Sequence, residues 1–210
     1  KGAWLAIWLA RLGAQVTGIA LRPSTRPNLF ELAEVSDLVT SYFVDIRDSD
    51  QVARYVRAAE PEIVFHLAAQ ALVRRSYREP LATFSINVQG TINLLNSLRD
   101  ALATRVVIAV TTDKVYWNVG HGYPYRETDT LGGFDPYSAS KAAAELAISC
   151  YRTAFLAEEG VSVASARAGN VIGGGDWSQD RLVPDAIRAW SNNRPLVVRR
   201  PHAMRPWQHV

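Results

Sequence analysis

The feature that most constrains the fold of this chain is a regular alternation of short, apolar, β-branched runs with longer helical stretches. The runs predict strands at residues 16–21, 41–44, 62–67, 105–111 and 161–168. Each run is separated from the next in the manner of βαβ units, whose crossovers are right-handed. The alternation therefore predicts an α/β protein built on a doubly wound parallel sheet.

Helix signals fill the stretches between these strands. The two longest predicted helices begin at Pro80 and Pro136, and they run to about residue 103 and about residue 158. An apolar helix over 2–12 is expected to be buried. The remaining expectations are helices at 29–35, from Asp48 or Ser49 to 59 and at 181–192, a Gly-rich loop over 169–178 and a short strand at 196–199.

One element of a dinucleotide-binding domain is not found. Such a domain begins with a strand and a Gly-rich turn, and that strand lies in the middle of the order 3-2-1-4-5-6. This chain begins on a helix, so we expect a truncated Rossmann domain over residues 1–168 and the start of a smaller, substrate-binding lobe over 169–210. The strands near 16–21 and 62–67 are then expected to flank an unfilled or rearranged slot. Together with Lys1 at the start and Val210 at the end, this indicates a piece of a longer protein.

Composition excludes several classes of function. The net charge is +3 and the arginines are scattered, so an anionic small molecule is favoured over nucleic acid as a partner. Cys150 is the only cysteine, which excludes an internal disulfide and suits a reducing, cytoplasmic location. The four histidines match no zinc spacing, so we expect no metal site. No apolar run is long enough for a membrane span, so no membrane association is expected.

The strongest chemical signal joins a strand end to a helix. The run 105–110 leads directly into Thr111-Thr112-Asp113-Lys114, and Tyr137 and Lys141 lie four residues apart on one face of the following helix. A tyrosine with a pKa of ~10 is a poor base at neutral pH, and lowering that pKa by ~3 units takes ~4 kcal/mol, part of which a nearby cation can supply. A solvated helix face is the usual interpretation of Tyr-x-x-x-Lys alone. Beside a hydroxyl, an acid and an amine at a strand end, a catalytic site is favoured.

Candidate cofactor residues lie near the beginning of the chain. Gly2 suits the last glycine of a phosphate-binding turn, although simple close packing would explain it equally well. Arg22 stands where an acid usually binds the adenosine ribose, so it could pair with a 2′-phosphate or be a solvated loop residue. Asp45 and Ile46 follow the third strand of a Rossmann sheet, where adenine would lie, with a helix cap as the alternative for Asp45.

Further cofactor candidates follow the next strand. His66 ends it and is interpreted as a hydrogen-bonded core histidine rather than a catalytic one. Asn87 in the long helix could bridge backbone across strands, with a cap or surface role as the alternative. The residues after His66 would let backbone approach a pyrophosphate or ribose closely: Leu67, Ala68, Ala69 and Gln70.

The Gly-rich loop supplies candidates for substrate binding. It lacks the Gly-Lys-Ser/Thr of a phosphate-binding loop, and an ordinary turn is the alternative. Asn170 could hydrogen-bond a diphosphate, and Trp177 could pack on a sugar or base. Arg181 and Arg205 could pair with phosphate oxygens.

Together these residues resemble the extended short-chain dehydrogenase/reductase family, and within it most closely the nucleotide-sugar 4,6-dehydratases that act on CDP-glucose. Relatives that act on dTDP- and GDP-sugars resemble the chain less, because they usually have glutamate at the position of Lys114. The resemblance covers nearly the whole chain. It is carried by His66-Leu67-Ala68-Ala69-Gln70, Thr112-Asp113-Lys114, Asp135-Pro136-Tyr137-Ser138 with Lys141, Arg167-Ala168-Gly169-Asn170, Asp180-Arg181-Leu182 and Arg205-Pro206-Trp207.

This resemblance implies a lyase that retains NAD tightly, takes a nucleotide-sugar substrate and binds it partly through Leu182. It also implies that Tyr137 removes the proton of the sugar 4-hydroxyl while Thr112 steadies the oxyanion and Lys141 lowers the Tyr137 pKa and touches the nicotinamide ribose. Lys114 is the implied base at C5 and Asp113 the implied acid at the 6-hydroxyl.

Four alternatives stay open on the sequence alone, the first being another 4,6-dehydratase of the same family that acts on dTDP-glucose or GDP-mannose. Arg22 leaves NADP possible as the cofactor. A nucleotide-sugar 4-epimerase would need Tyr137 and Lys141 but not the Asp-Lys pair, and a non-catalytic nucleotide-binding module would need neither. The full-length protein is expected to be a homo-oligomer.

Overall fold

The computed structural model describes all residues from 1 to 210. Seven strands occur along the chain: β1 (Thr17–Ala20), β2 (Thr40–Phe43), β3 (Ile63–His66), β4 (Val106–Thr112), β5 (Ser162–Ala168), β6 (Asn170–Ile172) and β7 (Trp207–His209). The α-helices are α1 (Gly2–Arg11), α2 (Leu29–Leu32), α3 (Val35–Leu38), α4 (Ser49–Ala59), α5 (Val73–Arg78), α6 (Pro80–Phe84), α7 (Gly90–Ser97), α8 (Pro136–Tyr151) and α9 (Leu182–Ser191). Strands and helices thus alternate as predicted.

The strands form three sheets. β3, β4 and β5 are parallel neighbours in that order, with Ile63 opposite Val106 and Val106 opposite Ser162. β1 pairs with β2, and β6 pairs in parallel with β7. In the 3-2-1-4-5-6 arrangement, strands 3 and 2 lie on one side of strand 1, and strands 4, 5 and 6 lie on the other. The pair β2-β1 of this chain corresponds to strands 3 and 2, and the triplet β3-β4-β5 corresponds to strands 4, 5 and 6. The α/β Rossmann prediction is confirmed, and β1 and β3 belong to different sheets as expected.

The chain folds as two compact units. The first contains residues 1–18, 22–41 and 169–210, and the second contains residues 19–21 and 42–168. The second unit holds the hydrophobic core. Every second side chain of β4 is buried, and helices α4, α7 and α8 contribute apolar side chains to the same core. Among its fully buried members are Leu95, Leu98, Val107 and Leu156. The predicted division into cofactor and substrate parts at residue 168 stays a prediction.

The helices of the second unit differ from the predicted lengths. The helix expected over 80–103 is interrupted by a π-helical turn at Ser85–Gln89 and ends at Ser97, and the helix expected to reach residue 158 passes into a π-helical turn at Arg152–Leu156. Helix α5 was not predicted. A π-helical turn lasts for a single turn with i→i+5 hydrogen bonds, and a search for the 3.6-residue repeat of an α-helix does not predict it.

The first unit departs further from prediction. Helix α1 has no buried residue, so the expectation of a buried helix over 2–12 is wrong. It packs against the short helices α2 and α3, its Trp4 Nε1 donates to the Gly174 carbonyl oxygen at 2.9 Å, and Trp8 is exposed. An apolar sequence predicts burial only when a partner face is available. The Gly-rich loop contains a strand, β6, whereas residues 196–199 form none. The partner of β6 is β7, a short and exposed strand. Its residues do not alternate between apolar and polar side chains, so the sequence did not predict this strand.

No helix of the structure has both the length and the apolar character needed to cross a membrane. No group of three or more His, Cys, Asp or Glu side chains is arranged to hold a metal ion.

Candidate functional site

Helix α8 carries the tyrosine–lysine pair and is positioned by its first turn. Asp135 caps it by accepting hydrogen bonds from Ser138 N and Ser138 Oγ at 3.0 and 2.6 Å, and Pro136 occupies the first helical position. Tyr137 is 9% exposed and Lys141 is 3% exposed. A solvated helix face is thereby excluded, because both side chains point into the protein.

Lys141 connects this helix to the strand that precedes the acid–amine cluster. Its Nζ donates to the carbonyl oxygen of Val110 in β4 at 3.1 Å, two residues before Thr112. A buried ammonium needs such acceptors, since burial without a partner costs several kcal/mol. The two halves of the predicted site therefore meet at the carboxyl end of β4, as expected for parallel sheets.

The second half of the site lies in a short 3₁₀ turn, Asp113–Val115, which directly follows β4. Thr112 is buried, and its hydroxyl donates to Asp113 Oδ1 at 3.1 Å. Lys114 Nζ lies 3.1 Å from the same carboxylate oxygen. Both charged side chains of this pair are about one-third exposed, at 31% and 30%. A hydroxyl, a carboxylate and an ammonium thus form one contiguous proton-handling chain.

A buried amide network fixes α8 from the other side. Asn87, with no exposed surface, accepts from Gln70 N at 2.8 Å and donates to Gln70 O at 3.1 Å and to Ser140 Oγ at 2.9 Å. Ser140 Oγ donates to the carbonyl oxygen of Tyr137 at 2.7 Å, and Tyr137 N donates to Ser76 Oγ at 3.2 Å. Asn87 is therefore a buried bridge rather than a cap or a surface residue, and the π-helical turn of which it is part directs it inward. Its role toward a cofactor stays a prediction.

His66 is buried at the end of β3. Its Nε2 lies 2.9 Å from Thr91 Oγ1, and that hydroxyl already donates to the Asn87 carbonyl oxygen at 2.7 Å. His66 must therefore be the Nε2–H tautomer and donate to Thr91. Burial, with a smaller contribution from the Lys141 charge, lowers the pKa of His66 to about 3. A ring that stays neutral and hydrogen-bonded agrees with the predicted core role.

A buried carboxylate, Glu145, was missed by the sequence analysis. It accepts a short hydrogen bond from Thr111 Oγ1, and it accepts from Ser165 Oγ at 2.9 Å. Arg167 binds both of its oxygens, at 3.2 and 3.0 Å. Burial raises the pKa of Glu145, but hydrogen bonds from Arg167, Thr111 and Ser165 outweigh it, so the pKa lies below the ordinary value. The sequence signal that could have identified Glu145 is its spacing, because it lies four residues after Lys141 on the same helix face.

The predicted adenine end of the site lies after β2. Asp45 does not cap the next helix, because Asp48 does so by accepting from Gln51 N at 3.0 Å. Arg47 binds the Asp45 carboxylate, with 2.6 Å between Arg47 Nη2 and Asp45 Oδ2, and this hydrogen bond holds the pKa of Asp45 below its usual range. Ile46 fits closely against Gly90, where an added Cβ would lie 2.5 Å from Ile46 Cγ2.

These residues fit a dinucleotide cofactor. Leu67, Ala68 and Ala69 are only half-buried at the end of β3, and two of them have side chains of a single methyl group, which leaves room for close approach. Gly90 lets helix α7 approach Ile46 closely, so the predicted adenine-binding loop after β2 lies against this helix. Lys141 supplies a buried ammonium near the end of β4.

The other predicted binding residues lie in the first unit. Gly2 has open space where a Cβ would be, so close packing does not explain this glycine, and Arg22 is exposed. Glycines of the Gly-rich segment do have packing reasons: a Cβ at Gly173 would lie 2.3 Å from Val210 Cγ1.

The predicted substrate residues occupy defined places within this unit, and their roles stay predictions. Asn170 begins β6, the Trp177 carbonyl oxygen accepts from Arg188 at 3.0 Å, and Arg181 precedes helix α9. Leu182 and Arg205 are exposed.

Comparison with known proteins places the chain among nucleotide-sugar dehydratases by overall similarity. The profile of the GDP-mannose 4,6-dehydratase family matches residues 1–210. The chain is 47% identical to the CDP-glucose 4,6-dehydratase of Salmonella typhimurium over 100% of its own length, and it spans 60% of that relative. The DesIV dTDP-glucose 4,6-dehydratase of Streptomyces venezuelae, solved with NAD bound, is 27% identical with a TM-score of 0.81, over 98% of this chain and 64% of that one.

An enzyme with a different reaction shares the fold. The UDP-glucose 4-epimerase of Thermus thermophilus, in complex with NAD, is 26% identical with a TM-score of 0.83, over 99% of this chain and 67% of that one. Fold similarity therefore does not separate dehydratases from epimerases. The profile match over all residues and the identity over the whole chain show that this chain belongs to the GDP-mannose 4,6-dehydratase family.

Proposed function

We propose that the protein containing this chain is a nucleotide-sugar 4,6-dehydratase that acts on CDP-glucose with NAD. The observation that carries the proposal is the Asp113–Lys114 ion pair, which lies one residue after Thr112 at the strand end that Lys141 contacts. Besides the hydride acceptor NAD, oxidation of a sugar hydroxyl needs only Tyr137, Lys141 and Thr112. An additional acid and base at the same place are what elimination of water requires.

The identity of 47% with the Salmonella typhimurium CDP-glucose 4,6-dehydratase supports this substrate over other nucleotide sugars. The half-buried residues after β3, together with Asp45, Ile46 and Lys141, would hold the cofactor. The chemistry that bound NAD would supply is a reversible hydride transfer, from C4 of the sugar and back to C6. NAD is favoured because two similar proteins were solved with it, although Arg22 is exposed and could meet a 2′-phosphate.

The first chemical step is removal of the proton from the sugar 4-hydroxyl. Tyr137 is the base, because it is buried on the helix face that also carries Lys141 one turn later, and a cation on that face favours the phenolate form. The Thr112 hydroxyl donates a hydrogen bond to the developing oxyanion at C4. In this step Thr112 must exchange its present acceptor, Asp113 Oδ1, for the substrate oxygen.

The elimination step needs a particular protonation of the ion pair. Lys114 must be a neutral amine to take the C5 proton, and Asp113 must be a carboxylic acid to protonate the leaving 6-hydroxyl. One proton transfer from Lys114 Nζ to Asp113 Oδ1, over 3.1 Å, produces both forms at once. Substrate binding that displaces water from this pair, now one-third exposed, would favour the neutral forms because desolvation penalises charges.

The test is product analysis with the full-length gene product. CDP-, dTDP-, UDP- and GDP-glucose are offered in turn, and the expected result is the 4-keto-6-deoxy sugar from CDP-glucose in preference to the others. A C4 epimer that retains its 6-hydroxyl would replace this proposal with a 4-epimerase. Binding without turnover would indicate a non-catalytic nucleotide-binding module. Sedimentation of the same preparation tests the proposed homo-oligomer, and the cytoplasmic location stays a prediction.

A further inference from the structure

Glu145 lies where three elements of the site meet. It is one helical turn beyond Lys141 on α8, it is 5% exposed, and its oxygens accept hydrogen bonds from β4 and β5. Its β4 partner is Thr111, which directly precedes Thr112. The mechanism proposed above assigns Glu145 no chemical step.

Three side chains donate hydrogen bonds to Glu145. Thr111 and Ser165 each donate one hydrogen bond, and Arg167 donates two across both oxygens, so every partner favours the ionised carboxylate. The bidentate geometry restricts the carboxylate in rotation as well as in distance. Glu145 thus attaches helix α8 to both β4 and β5, one turn beyond Lys141, which itself binds β4 at Val110.

Arg167 extends the same connection to the loop before α8. Its Nη1 donates to the Glu127 carbonyl oxygen at 3.1 Å, and its guanidinium lies 4.9 Å from the centre of the Tyr116 ring. Tyr116 follows the 3₁₀ turn that contains Asp113 and Lys114. One buried ion pair therefore touches α8, the end of β4 and the segment after the Asp–Lys pair.

We infer that Glu145, with Arg167, is a positioning residue that sets the separation between Tyr137 and Lys141 on α8 and Thr112 at the end of β4. The inference rests on the proposed function, since it assigns these three residues to the oxidation step. Its basis is mechanical: Lys141 touches β4 at Val110 and Glu145 touches β4 at Thr111, so two successive turns of α8 are fixed to two successive residues of the strand.

This role predicts an effect on the chemical step and not on binding. Displacement of a base by about 1 Å from its reacting partner can slow a reaction about 100-fold. Thr111, Ser165 and Arg167, the hydrogen-bond partners of Glu145, are not among the residues assigned to the nucleotide, so substrate affinity has no reason to follow.

The test uses Glu145→Gln in the full-length gene product. The amide keeps the size, and its oxygen can still accept from Thr111 Oγ1 and Arg167 Nε. Its NH₂ group replaces the oxygen that accepts from Arg167 Nη2 and Ser165 Oγ, and it cannot accept from either donor. Reduction of bound cofactor on mixing with CDP-glucose should slow by about 10- to 100-fold, with the dissociation constant of CDP-glucose within about 3-fold of the parent. Ile148→Val and Ile148→Ala, in the core one turn further along α8, are the controls for lost stability.

A rate within about 3-fold of the parent, or a loss equalled by an Ile148 variant of the same unfolding temperature, would overturn the inference. A crystal structure of the Glu145→Gln protein gives a reading that needs no substrate. Lys141 Nζ should leave the Val110 carbonyl oxygen, now at 3.1 Å, and an unchanged distance would also contradict the role. If the parent reduces no cofactor with any nucleotide sugar, the proposed function fails, and this structural comparison still decides the role of Glu145.

Discussion

Replacement of Lys114 separates catalysis from stability in the proposed site. Its ion pair with Asp113 is 3.1 Å long and about one-third exposed on each side, so Lys114→Ala should lower the free energy of unfolding by at most about 1 kcal/mol. Loss of a general base typically costs about 10²- to 10⁴-fold in rate, or about 3 to 5 kcal/mol in activation free energy. The effect on elimination should therefore exceed the effect on stability several-fold.

The assay follows the two half-reactions separately in the full-length gene product. Lys114→Ala should still reduce bound cofactor on mixing with CDP-glucose, because Tyr137, Lys141 and Thr112 are intact. It should stall before water is lost, and solvent deuterium should no longer enter C5. Tyr137→Phe should instead block the first hydride transfer.

Lys114→Arg distinguishes a base from a charge. Arginine keeps the cation and the ion pair with Asp113, but a guanidinium does not release its proton in proteins. We expect Lys114→Arg to be as stable as the parent. Like Lys114→Ala, it should fail to dehydrate the substrate. Dehydration at the parental rate by either variant would refute the assignment of Lys114 as the base and leave only the oxidation half of the mechanism.

Three further predictions concern the surroundings of the site. Asn87→Ala should lower the free energy of unfolding by about 3 kcal/mol in urea titration, because it removes three buried hydrogen bonds, whereas Asn96→Ala on the exposed face of α7 should change it by less than about 0.5 kcal/mol. The pKa of His66 is lowered to about 3 in the folded state, so between pH 6.5 and about 3 only the unfolded chain binds its proton. The free energy of unfolding should therefore be highest above pH 6.5 and should decrease as the pH falls below it. His66→Gln should reduce the dependence of this free energy on pH by up to about 1.4 kcal/mol per pH unit. The parent should bind NAD more tightly than NADP in calorimetry, and a strong NADP preference that Arg22→Asp abolishes would contradict this.

Local signals in the sequence determined the alternation of strands and helices and the identity of the acid–amine cluster. Pro136 and the capping residue Asp135 begin α8 where predicted, and the β-branched run before Thr111 forms β4. These features depend on backbone preferences and on spacing within one element, which neighbouring residues express directly. The spacing of Tyr137 and Lys141 likewise placed them on one helix face without knowledge of the rest of the fold.

Tertiary structure alone decided which residues hold the Tyr137–Lys141 face of α8 in position. Glu145 and Arg167 are 22 residues apart and form a buried ion pair only because α8 packs against β5. Asn87 joins Gln70 to Ser140, which is 53 residues further along the chain, through a π-helical turn that periodicity does not reveal.

The same limit explains the errors in the first unit. Helix α1 has the composition of a buried helix yet no buried residue, and β6 became a strand because β7 lies beside it. Burial and strand pairing are relations between distant segments. A sequence can therefore show which side chains have the chemistry for a site, whereas the contacts that hold those side chains in register exist only once the segments have packed.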